Sequence, residues 1–135
     1  MKAIFMELLL HSEDYTMAVA DSMPVKLDDF KPANDVWTFR QQLHHIAYGI
    51  SWWTDNFISG HKTEWNSPVI GKNRKETIGY LQKSYNEWKE AIKQAEVTDE
   101  IIKGFFATLD HVTHHRGQLI IYLRCNGIAA PEYSF

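Results

Sequence analysis

The sequence holds one cysteine, Cys125, so no disulfide can form within the chain. A lone thiol fits a reducing compartment. There is no excess of positive charge: 14 Lys and Arg stand against 17 Asp and Glu, a net charge of −3. That balance argues against a nucleic-acid surface, which needs a basic face. There is no long apolar run either. The N-terminal stretch Met1–His11 is interrupted by Glu7 and followed by Glu13 and Asp14. It reads as neither a signal peptide nor a membrane span, and the expected location is the cytoplasm. Alternating strand patterns, internal repeats, charge blocks, a glycine-rich phosphate loop and a Ser-His-Asp arrangement are all missing.

Chain breakers are sparse. Pro24, Pro32, Gly60, Pro68, Gly71, Gly127 and Pro131 are the main ones, and four long stretches lie between them. The first, from about Phe5 to Ser22, carries a loose stripe of Leu8, Leu9, Tyr15 and Val19, with Met23 just beyond. The second, from about Thr38 to Ser59, repeats Phe39, Leu43, Ile46, Ala47, Ile50, Trp53 and Phe57 at three- and four-residue steps, the mark of an amphipathic helix. Thr38 suits its N-cap and Gly60 its C-terminal stop. The third runs from about Lys75 to Ala95 on Ile78, Leu81, Tyr85, Trp88 and Ile92. The fourth runs from Thr98 to Asn126, with Gly104 as a point where it can break. A chain of 135 residues is the size of one domain. The expectation is a single all-α domain over residues 1–135, a four-helix bundle of up-down type with one longer connection.

Five of the seven histidines fall in two clusters inside the strongest helical patterns. His111 and His115 are four apart, so on a helix they share a face one turn apart and can reach one ion. The spacing of His111 and His114 also permits a pair. Two histidines four apart are equally the pattern of a solvated helix face. The second helix offers His44 and His45, and its periodicity does not choose between them, since both lie well off the centre of the apolar stripe. One histidine from a facing helix with two from the last makes a three-nitrogen site with open positions, the pattern of a catalytic metal. Such a site suits zinc, nickel, copper or iron, and bundle cores commonly hold metals this way.

The segment His111-Val-Thr-His-His-Arg-Gly-Gln-Leu119, running on to Arg124-Cys-Asn-Gly127, resembles the last helix of the DinB-like family, also called the DinB/YfiT-like metalloenzymes. That family reads roughly H-x-x-H-H-R-G-Q-L, an aliphatic-aromatic stretch, then R-x-N-G. The family also has an aromatic followed by Ser or Thr at the start of helix two, with a ligand histidine eight residues after the aromatic. Here that start is Trp37-Thr38 and the histidine is His45. The resemblance covers most of the chain, which is short for the family and reduced between helices three and four. It implies a four-helix bundle, often a homodimer, with a divalent metal such as zinc or nickel on His45, His111 and His115. It implies a thiol S-transferase or related enzyme acting on a small thiol and a small-molecule substrate. The alternatives are a non-catalytic metalloprotein and a metal-free helical binding or dimerisation module.

The remaining residues of the motif have smaller expected parts. His114 is not counted a ligand and is assigned to packing or a hydrogen bond. Arg116 and Gln118 are expected to be structural or to support a ligand, and Asp110 to accept a bond from a ligand imidazole. Cys125, about three turns beyond His115, is expected to be a small buried residue. Trp52 and Trp53 are assigned to core or dimer packing and Tyr122 to the core. A pocket mouth beside the metal is the alternative for Trp52, and Tyr48 is a candidate neighbour of the site.

Overall fold

A computed structural model describes residues 1–133. Four helices account for most of them: α1 (Lys2–Ser22), α2 (Phe39–Trp53), α3 (Arg74–Gln94) and α4 (Asp99–Cys125). Each of the last three begins on a side-chain cap. Thr38 and Gln41 form a reciprocal capping box on α2, Asn73 accepts from the Glu76 amide, and Thr98 accepts from the Ile101 amide. The second helix does not stay α-helical to Ser59. It widens into a single π turn at Thr54–Ile58, and Gly60 then takes a left-handed φ of 77°.

Contacts between the helices fix their directions. The Lys2 Nζ reaches the Lys93 carbonyl, while Arg74 bonds the carbonyls of Ala20 and Met23, so α1 and α3 are antiparallel. Phe5 stacks on Phe105 and Thr16 meets Arg116, so α1 and α4 run parallel. Gln42 meets Gln118 and Gly104 meets Phe57, so α2 and α4 are antiparallel. His44 meets Tyr80 and Ser51 meets Ser84, so α2 and α3 run parallel. The order is therefore up, down, down, up, and a parallel α2–α3 pair needs a connection as long as the bundle. Residues 59–73 supply it. This longer connection is a strap laid back along α2.

The core contains the residues that the helical periodicity selects: Leu9 and Val19 from α1, Leu43, Ile46 and Ile50 from α2, Leu81, Tyr85 and Trp88 from α3, and Val112, Leu119 and Leu123 from α4. Tyr122 is buried there as expected. Two polar ties cross it. Lys89 donates to both oxygens of the buried Glu13 at 3.0 and 2.8 Å, joining α3 to α1. The fully buried Tyr85 hydroxyl donates to Thr16 Oγ1 at 3.0 Å and lies 2.9 Å from Ser12 Oγ.

Two expectations need correcting. Gly104 does not break α4, which runs through it unbroken. Its role is close approach: a β-carbon there would lie 2.6 Å from Phe57 Cβ. Cys125 is exposed, not buried, because it sits in the last turn of α4, beyond the packed part of the helix. Among the described residues, no helix is long and apolar enough to cross a membrane.

Candidate metal centre

The antiparallel crossing of α2 and α4 brings three imidazoles together. One nitrogen from each of His45, His111 and His115 lies within 4.8 Å of the other two. The Nε2 atoms of His45 and His111 are 3.0 Å apart. Neighbouring nitrogens on a tetrahedral zinc would be about 3.3 Å apart, given its usual bond lengths. All three rings are half-buried, and His45 lines an open cleft.

A glycine makes this approach possible. Gly49 lies one turn beyond His45 on the same face of α2, and a β-carbon there would come within 2.1 Å of the His111 ring. His111 thus rests directly on the α2 backbone. Its Nδ1 is buried without a hydrogen-bond partner. If that ring's proton sits on Nε2 it can be given to His45, but Nδ1 is then a stranded acceptor. If it sits on Nδ1 the donor is stranded instead. The buried Nδ1 lacks a partner in either tautomer, and His44 Nδ1, Thr54 Oγ1 and Trp88 Nε1 are likewise buried without one.

His115 is held differently. Its Nδ1 lies 3.0 Å from the Gln42 Oε1, which can only accept, so Nδ1 carries the proton and Nε2 keeps a free lone pair. Gln42 Nε2 donates to Gln118 Oε1 at 2.6 Å, and Gln118 Nε2 in turn lies 3.2 Å from His114 Nε2. The bonds run in one direction, His115 to Gln42 to Gln118 to His114, and fix the tautomer at the site end. The expected hydrogen-bonding roles of His114 and Gln118 are thus present. Asp110 has no such role. It is exposed beside Phe106 and Thr113 on the outer face, and the amide that serves a site imidazole is on α2.

Burial holds these histidines neutral. It pushes His111 down to about 3 and His45 down to about 4, with the neighbouring histidine charges, His115 foremost, adding to the effect. His115 is also lowered, by burial first and then by His114. Neutral imidazole is the form that ligates a metal. The donor set, its spacing and the neutral state all fit a divalent transition metal, and no carboxylate contacts the three rings among the described residues.

Indoles ring the open side. Trp37 lies 4.4 Å from His45, Trp53 stacks on His111 at 5.1 Å, and Trp65 lies 5.7 Å from His45. Trp53 therefore faces the site and is not a core residue. A cleft of about 320 Å³ opens beside the histidines, between Trp37, Gln41, His44, His45, Trp65 and Pro68. His44 points away from the other rings, with Nε2 donating to the Pro68 carbonyl at 3.0 Å. It pins the strap. The strap is also held by the Asn66 amide on the Tyr48 hydroxyl at 2.6 Å and by the Thr63 amide on Asn56 Oδ1 at 2.8 Å. Arg40 bonds the Gly71 carbonyl at its far end. Trp52 lines an adjacent hollow with Tyr48, Asp55 and Glu64.

Three residues of this centre carry no motif of their own: Gln42, Gly49 and Trp65. Gln42 and Gly49 stand three before and four after His45, on its face, and a glycine in mid-helix is a signal for close packing. Trp65 lies in a loop, where periodicity says nothing.

Comparison with known proteins bears on the family and the fold. No curated protein matches the chain. Among solved structures, a DinB-like protein from Bacillus cereus ATCC 10987 is similar in fold, with a TM-score of 0.78 at 19% identity, over 96% of this chain and 95% of that one. The family model described as the DinB superfamily matches residues 8–119, from the middle of α1 to beyond the paired histidines of α4. A match of that extent settles the relationship: the chain belongs to the DinB superfamily.

Proposed function

We propose that this chain holds one divalent transition metal on His45, His111 and His115 and uses it to activate a small thiol for transfer to a second small molecule. The observation that carries the reading is the convergence of three neutral imidazole nitrogens on one point beside an open cleft. A three-nitrogen divalent centre lowers the pKa of water or of a thiol at its open position, and the thiolate is the reactive form of a thiol. The chain's own residues do the rest. Gln42 fixes the His115 tautomer, and Gly49 lets His111 reach the centre. Trp37, Trp53 and Trp65 keep water from three sides of the histidines and offer apolar faces to the substrate.

In this reading the chain is one domain and works as a cytoplasmic homodimer on small molecules, with no membrane or nucleic-acid partner. The thiol step is tested by loading the protein with cobalt and adding a small thiol. A sulfur-to-cobalt charge-transfer band is expected. So is consumption of the thiol by an added alkyl electrophile faster than in buffer, with loss of that rate on chelation. A loaded protein that gives neither band nor rate contradicts the thiol step.

A second reading has its own support. The contacts of the three imidazoles are to one another, to indoles, to His114 and to Gln42, and no carboxylate contacts them among the described residues. That favours a metal that ties α2 to α4 without catalysis. Melting with and without chelator separates the two readings. A large loss of stability on metal removal, with no thiol activity, selects the structural one.

A further inference from the structure

The seam between α1 and α4 holds a charge that no carboxylate balances among the described residues. Arg116 is 5% exposed. Its Nη1 reaches only neutral acceptors, the Ser12 carbonyl at 3.4 Å and Thr16 Oγ1 at 3.3 Å, both long for such bonds. Its guanidinium lies 4.8 Å from the centre of the Tyr15 ring and 5.7 Å from that of Tyr133. The one buried carboxylate nearby on α1, Glu13, is taken by Lys89 from α3. No carboxylate contacts Arg116 among the described residues. A buried cation without a counter-charge is costly.

The guanidinium is not sealed in. It forms part of the wall of a hollow of about 80 Å³ with Leu8, His11, Leu109 and Thr113. Among the described residues its Nε and Nη2 have no hydrogen-bond partner, yet neither is among the atoms fully closed off from solvent. A planar fork of free N–H groups at the base of a small hollow is the arrangement that takes an oxyanion in two bonds. The rim adds a hydroxyl from Thr113 and an imidazole from His11, and the hollow has room for one group of that size.

We propose that the Arg116 hollow between α1 and α4 is a binding site for a small oxyanion, distinct from the histidine centre between α2 and α4. The shared chemistry is a charged group with two or more oxygens, which a free phosphate and a small carboxylate both present. The site needs no metal, so it stands whether or not the histidines hold one.

The test is an NMR titration of the full-length protein with sodium phosphate and, in parallel, with sodium acetate, each against sodium chloride at the same ionic strength. Saturable shifts of the Arg116 Nε–H, the Thr113 amide and the His11 ring are expected, with midpoints in the millimolar range. Arg116→Lys should abolish saturation. Because Arg116 is buried and that variant can fail to fold, Thr113→Val at the exposed rim is the second arm. It should weaken binding several-fold at an unchanged melting temperature. Saturation by phosphate alone or by acetate alone names the source, and either supports the site. Shifts that stay linear, that chloride reproduces, that Thr113→Val leaves unchanged, or that fall only on His45, His111 and His115 overturn it.

Discussion

Helix α4 faces two different interiors. Toward α1 and α3 most of its neighbours pair with one another: Tyr85 bonds Thr16 and Ser12, Phe105 lies between Phe5 and Trp88, and the buried Glu13 has its lysine, while Arg116 at the α1 seam and the buried Trp88 Nε1 stand outside that network. Toward α2 the polar groups converge but do not close. His111 keeps a buried nitrogen without a partner, and three rings crowd together at separations that suit a cation between them. The first arrangement holds the fold; the second is incomplete without something added. Three neutral imidazoles converging on one point mark function before they mark packing.

Mutations on the two sides should separate cleanly. The largest loss of stability is expected from Trp88→Ala, which empties the fully buried centre of the closed side. About 3–5 kcal/mol is the usual cost of such a cavity. Thermal or urea unfolding measures it, and whatever protein remains folded should still take up metal. A variant that folds normally but loses metal would break the division. Tyr85→Phe is the milder version. It leaves Ser12 Oγ without its Tyr85 partner and Thr16 Oγ1 with Arg116 alone, at a cost of about 1–3 kcal/mol, again without change in metal content.

On the open side the expected order reverses. Gly49→Ala places a methyl where the His111 ring sits, so one of them must move. Overpacking costs about 1–3 kcal/mol, and the gain in helix propensity of about 1 kcal/mol offsets part of it. Metal binding should nevertheless collapse, as isothermal titration with zinc would record. Full affinity in this variant would show that His111 is not needed where the structure places it. Gln42→Ala releases the His115 tautomer and should weaken metal binding about 10–100-fold with little change in melting temperature.

The smallest effect is on the metal-free protein. His45 and His111 have folded pKa values of about 4 and about 3, below the ordinary 6.5. The unfolded chain therefore binds more protons between these limits. The metal-free protein should lose stability as pH falls from about 6.5 and stop losing it from this cause near pH 3. Both rings are only half-buried, so the slope should be modest. The double variant His45→Gln, His111→Gln should flatten it, and an unchanged slope would assign the pH dependence elsewhere.

Much of the architecture was legible because it is local. The 3.6-residue periodicity marks all four helices, and Thr38 and Gly60 sit where capping chemistry puts them. His111 and His115 share a face for the same reason. The choice between His44 and His45 was not local. It turns on the path of the strap, whose Pro68 carbonyl takes His44, and only the family's spacing from Trp37 favoured His45. Gln42 and Gly49 escaped notice because a glutamine and a glycine look ordinary until α4 is laid against them. Gly104 misled for the opposite reason: the usual helix breaker is there to admit Phe57. Trp53 lies on the apolar stripe, yet the antiparallel crossing turns its indole onto His111.

The central claim is that the open side is completed by a metal. Elemental analysis of untagged protein beside its His111→Ala variant tests it most directly. The account predicts about one equivalent of a divalent transition metal per chain, as a single three-histidine site requires, and its loss in a variant that stays folded. Wild-type protein that takes up no metal after dialysis against zinc and nickel, or a variant that keeps the full equivalent, would contradict it.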